Sequence, residues 1–62
     1  MVVFLIFEEN QEAGRVRYIR TCSSSERAEW VVSEMRLEAA STLKEGSYPN
    51  LYWWQAEEVE ES

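Results

Sequence analysis

The sequence predicts a small α+β domain: a three-stranded antiparallel sheet, topology β-β-α-β and spatial order 2-1-3, with one helix packed on one face. Three observations carry this reading. An apolar run, Val2-Val3-Phe4-Leu5-Ile6-Phe7, opens the chain. A serine-led segment with helical apolar spacing follows at residues 24–41, and an aromatic run, Leu51-Tyr52-Trp53-Trp54, comes near the end. The 62 residues make one domain.

Residues 2–9 read as the first strand. Successive side chains of a strand point to opposite sides of the sheet, so Val2, Phe4 and Ile6 face one way and Val3, Leu5 and Phe7 the other. Both faces are apolar. Asn10 to Gly14 is a polar connection, and Gly14 supplies the positive φ that a hairpin loop with a bulge needs. Residues 15–21 form the second strand, with Val16 and Tyr18 on one face and Ile19 on the other. Strict alternation pairs Arg15 with Arg17 on one face and Arg20 with Tyr18 on the opposite one. Three arginines suit an edge strand, where charge discourages stray pairing.

Ser23-Ser24-Ser25-Glu26 announces the helix, and Ser23 with Glu26 has the spacing of a capping box. Ala28, Val31, Val32, Met35 and Ala39 then follow the spacing of a buried stripe. Gly46 is the expected C-cap, with the helix ending between Ala40 and Glu45, and Pro49 prevents continuation. The third strand covers residues 51–59. If the first strand runs up, the third runs down beside it. The most apolar strand then lies in the centre, and the right-handed crossover rule puts the helix on one face.

A chain of this length buries only about 60% of the surface its unfolded form exposes, so added support is expected. Cys22 is alone and there is no histidine, so neither an internal disulfide nor a structural zinc site is expected. Oligomerisation or partner binding remains. The net charge is −6, and all twelve acidic residues are glutamate. Residues 1–31 hold five Glu against four Arg, a net of −1. Residues 32–62 hold seven Glu against Arg36 and Lys44, a net of −5. This surface repels phosphate backbones and suits basic partners, or simply keeps an aromatic-rich domain soluble. No apolar stretch approaches the ~20 residues of a membrane span, and the opening run lacks the features of a signal peptide. With its lone cysteine the chain is expected in a reducing cytoplasm, away from membranes.

Catalysis is not expected. Histidine and aspartate are both absent, and Cys22 lacks a histidine base. The glutamates show no pocket that would raise one pKa, and Glu8, Glu9 and Glu12 lack the pattern of a calcium loop. No cofactor or metal ligand set is indicated. Arg15, Arg17 and Arg20 around Tyr18 faintly resemble a base-stacking strand, but alternation splits the arginines between faces and the net charge opposes binding.

Interaction residues are easier to place. At 100° per residue Trp30 lies about 200° and Leu37 about 180° from Ala28, so both point away from the buried stripe. Tryptophan is enriched at binding hot spots, although Trp30 folded back along the sheet edge, or covering the loop at residues 46–50, is an equal reading. In the third strand Leu51, Trp53 and Val59 point one way, and Tyr52, Trp54 and Ala56 the other. The helix covers only one set. The other leaves an exposed tryptophan beside three apolar residues of the first strand, a patch of the kind that marks protein interfaces. Glu57, Glu58, Glu60 and Glu61 would form its acidic rim. The expected partner-binding set is therefore Trp30, Leu37, Tyr52, Trp53, Trp54, Glu57, Glu58, Glu60 and Glu61. Two copies stacked through their open faces would use the same residues, so a homodimer and a foreign partner both stay open.

The run VVFLIF, the helix SSSERAEWVVSEM and the closing YWWQAEEVE together resemble the small acidic β-β-α-β proteins encoded by bacteriophages. The resemblance covers most of the chain in layout and carries no functional residue over. It implies a non-catalytic inhibitor or modulator of a host enzyme or defence factor, acting in the host cytoplasm by occluding a surface. Two other readings stand beside it: a homo-oligomeric small-ligand-binding domain, and a single-stranded nucleic-acid-binding module.

Overall fold

A computed structural model describes residues 1–43 and 45–60. The elements are β1 (Val2–Asn10), β2 (Arg15–Cys22), α1 (Ser25–Ser41) and β3 (Leu51–Glu58). The three strands form one antiparallel sheet in the order β2-β1-β3, and α1 lies on one face. The fold is the α+β arrangement expected from the sequence. No helix of the described residues is long and apolar enough to cross a membrane.

The hairpin between β1 and β2 is set by its loop. Asn10 Oδ1 accepts from the backbone N–H groups of Glu12 and Ala13, and Gly14 N–H donates to the Asn10 carbonyl at 2.8 Å. Gly14 completes the turn with φ 66°, a conformation that favours glycine. Farther along, the ladder slips. Ile6 opposes Arg20 while its neighbour Phe7 opposes Tyr18, so Ile19 is the extra residue of a β-bulge.

That bulge corrects the expected alternation. Residues paired across an antiparallel ladder share a face, so Arg20 lies with Ile6 on the helix side, as Arg17 does with Glu8 and Arg15 with Asn10. Tyr18 lies with Phe7 on the opposite side. All three arginines therefore share one face. Strict alternation fails because the bulge residue resets the phase of the strand between Tyr18 and Arg20.

The helix start also differs from the expected capping box. Ser24, not Ser23, is the N-cap, and its Oγ accepts from Arg27 N–H at 3.1 Å. The third helical position is thus Arg27, and Glu26 serves only as an acidic first-turn residue. The C-terminal cap differs too. The Thr42 N–H and the Ser41 and Thr42 hydroxyls all donate to the Glu38 carbonyl, so hydroxyl groups satisfy the helix end. Gly46 lies beyond this cap, and its φ of 84° serves a turn in the connection instead.

The core is small. Ile6, Cys22, Ala28, Val31 and Val32 are buried, with Phe4, Ile19, Met35, Tyr52 and Trp54 packed around them. The Cα envelope is only 11 Å across its thinnest direction, room for one sheet and one helix and no third layer.

Candidate interaction surface

The side chains that α1 leaves uncovered are set by the β1–β3 register. Val3, Leu5, Phe7 and Glu9 oppose Glu57, Gln55, Trp53 and Leu51, and all eight share the open face. From β2, Tyr18 and Thr21 join them opposite Phe7 and Leu5, and Val16 opposite Glu9. An aromatic ridge crosses the three strands at one level. Phe7 and Trp53 stack with centroids 5.8 Å apart and planes at 24°, and Tyr18 meets Phe7 edge-on at 6.2 Å. The Tyr18 and Thr21 hydroxyls hydrogen-bond to each other. Trp53 and Phe7 are half-buried by their own neighbours, whereas Val16 is 56% and Tyr18 54% exposed.

Glu9 and Glu57 stand towards opposite ends of this face, and among the described residues no lysine or arginine side chain joins them. The bulge at Ile19 is the reason, since it turns Arg20 to the helix side. The aromatic ridge and the arginines thus occupy opposite faces. A strand that stacks bases between cations is not what these residues build.

Tyr52 and Trp54, both expected partner-binding residues, lie on the covered face. Trp54 meets Phe4 edge-on at 5.5 Å, and its Nε1–H donates to Glu29 on α1 at 2.7 Å. Tyr52 packs against the core and its hydroxyl donates to Glu8 Oε2 at 2.7 Å. Glu8 also takes Arg17 at 3.1 Å. Burial first, then the hydrogen bond and charge of Glu8, raise the Tyr52 hydroxyl above its ordinary value of 10.0. Together Glu8, Arg17 and Tyr52 line a cleft of about 300 Å³ below the C-terminal half of α1. Arg17 and Tyr52 already satisfy both Glu8 carboxylate oxygens. Among the described residues, no three His, Cys, Asp or Glu side chains gather where they would hold a metal ion.

No family model, curated protein or solved structure matches this chain.

The remaining expected residues are dispersed. Trp30 and Leu37 are 53% and 67% exposed on the helix, away from the open sheet face, and Arg27 lies over the Trp30 ring at 4.7 Å. Trp30 is not part of the core, and it lines one cleft with Arg20 of the edge strand β2. Glu57 lies on the open face and Glu58, opposite Val2, on the other. Glu60 is exposed beyond β3, and Glu61 lies outside the described residues. The expected partner-binding set left out Phe7, Tyr18 and Leu51, although the sequence put Leu51 on the face of Trp53 and an apolar set of the first strand beside the exposed tryptophan. The 2-1-3 order places Phe7 and Trp53 on adjacent strands, but only the register sets them opposite each other.

Proposed function

We propose that this chain is a non-catalytic protein–protein interaction module of the host-modulating phage type. In this reading it binds a basic surface of a host enzyme or defence factor and inhibits it by covering that surface. One observation carries the reading: an uncovered aromatic ridge of Phe7, Trp53 and Tyr18 with carboxylates at both ends and no basic side chain among the described residues of that face. An apolar centre with a charged rim is the usual anatomy of a protein interface. The two carboxylates favour a cationic counterpart and, by steering, a fast encounter with it.

A second copy fits the same face less well. Stacking two copies would bring four carboxylates together with no basic side chain among the described residues of either open face.

The test is binding and inhibition by a Trp53→Ala variant against a target captured from host lysate. The substitution weakens binding by about 2 kcal/mol or more, while the far-UV spectrum and cooperative melting are retained. Unchanged affinity in a folded Trp53→Ala variant removes the open face as the binding surface. Light scattering that shows a dimer lost on the same substitution assigns the face to a second copy instead.

A further inference from the structure

The two edges of the sheet are not alike. On β2 a bulge and three arginines interrupt the outer edge, devices that discourage pairing with another strand. The ladder of β3 on β1 runs without a shift from Leu51 to Glu58, and the strand contains neither proline nor a basic residue.

Hydrogen bonds fix which of its backbone groups face outward. Met1 and Val59 exchange bonds in both directions, Val59 N–H to the Met1 carbonyl at 2.7 Å and the Met1 amine to the Val59 carbonyl at 3.3 Å. In an antiparallel ladder such exchanging pairs alternate with pairs whose groups point away. Odd-numbered residues of β3 thus bond to β1, and Tyr52, Trp54, Ala56 and Glu58 turn their N–H and C=O groups outward. The Tyr52 carbonyl confirms this phase, because it accepts from the Arg36 guanidinium at 2.8 Å. Among the described residues, no backbone or side-chain group bonds to the outward amides of Trp54, Ala56 and Glu58. Residues 55–58 are exposed.

We infer that the outer edge of β3, from Trp54 to Glu58, takes up an extended basic segment of a partner protein as a fourth strand. Backbone pairing supplies the attachment, and charge selects the segment. Glu57 borders this edge on the open face, Glu58 and Glu29 border it on the helix side, and Glu60 follows the strand. Two cations stand near it, the Arg36 guanidinium held at the Tyr52 carbonyl and the Met1 ammonium held at the Val59 carbonyl. A second copy is the poorer occupant, since pairing β3 with itself doubles Glu57, Glu58 and Glu60 along one seam and the strand supplies no basic side chain of its own. The inference shares with the proposed function a basic protein partner, and it uses the edge rather than the open face.

The experiment is an NMR titration of the whole chain at low salt with three capped heptapeptides. One alternates lysine and valine, one carries glutamine in place of lysine, and one repeats the basic sequence with its interior amides N-methylated. The basic peptide is expected to shift the Trp54, Ala56 and Glu58 amides and protect them from exchange, with the other two at least about tenfold weaker. Ala56→Pro removes an outward N–H that no internal bond uses, so it is expected to weaken the basic peptide by about tenfold with little change in melting. Trp53→Ala leaves this affinity within about twofold, which separates failure of the edge from failure of the open face. Equal binding by the N-methylated or the glutamine peptide, shifts confined to Phe7 and Trp53, or no shift at millimolar peptide overturns the inference. A dimer abolished by Ala56→Pro does so too, and assigns the edge to a second copy. If Ala56→Pro unfolds, the N-methylated peptide still decides, because it leaves the protein unaltered.

Discussion

Tyr52, Trp53 and Trp54 are chain neighbours with opposite placements. Trp53 stacks on Phe7 in the open, while Tyr52 and Trp54 are tied to Glu8 and Glu29 beneath the helix. Alternation made it legible that these residues divide between faces, but not which face the helix would choose. Trp54→Ala is expected to lower stability by roughly 2–3 kcal/mol in denaturant unfolding, because it removes the Phe4 contact and a lid of the core. Trp53→Ala costs about 1 kcal/mol, the worth of one aromatic pair. Tyr52 gives a prediction in pH. Its hydroxyl is held above the ordinary value of 10.0, so the folded chain favours the neutral phenol. That contribution is complete below pH 10 and is lost as the pH rises through the raised folded-state value. Tyr52→Phe is expected to cost about 1 kcal/mol at neutral pH and to flatten the alkaline fall in melting temperature relative to the unaltered chain. Parallel alkaline curves for the two proteins would contradict it.

At the scale of elements, the helix and the β2 strand show where local rules hold and where they slip. Apolar spacing marks the stripe of Ala28, Val31 and Val32 because 3.6-residue periodicity is a property of the helix itself. The cap was harder to place, since three consecutive serines all have the chemistry and only the path of the chain out of β2 selects Ser24. Ser24→Ala should destabilise by about 1 kcal/mol, and Ser23→Ala by nearly nothing, in chemical denaturation. Equal losses would restore Ser23 as the cap. The β-bulge left no mark that alternation could read. Ile19 is the extra residue, and its effect appears at the next position as the turning of Arg20 to the helix side. Half of the interaction surface, its lack of cations, was therefore invisible before the ladder was known.

The whole molecule is a sheet with a lid on one side only. Its fully buried side chains are few, and Ile6 is the largest of them together with Val32. Ile6→Ala is expected to cost about 3 kcal/mol. That is a large part of the total stability of so small a chain, and the variant should be substantially unfolded at 37 °C by circular dichroism. A binding partner that covers the open face or the β3 edge stabilises the folded form by mass action, so saturating amounts should recover part of that loss.

Some of this protein was determined by local sequence alone. The strand and helix periods, the two-sided apolarity of β1 and the split of the β3 aromatics all follow from rules that act over a few residues. Tertiary structure decided the rest: that Trp53 rather than Trp54 stays open, that all three β2 arginines share the helix side, and that the outward backbone groups of β3 fall at Trp54, Ala56 and Glu58. Each of these depends on how distant segments align. Register and bulge position are settled by the packing of the sheet as a whole, and a single residue of slip reverses every assignment that follows it.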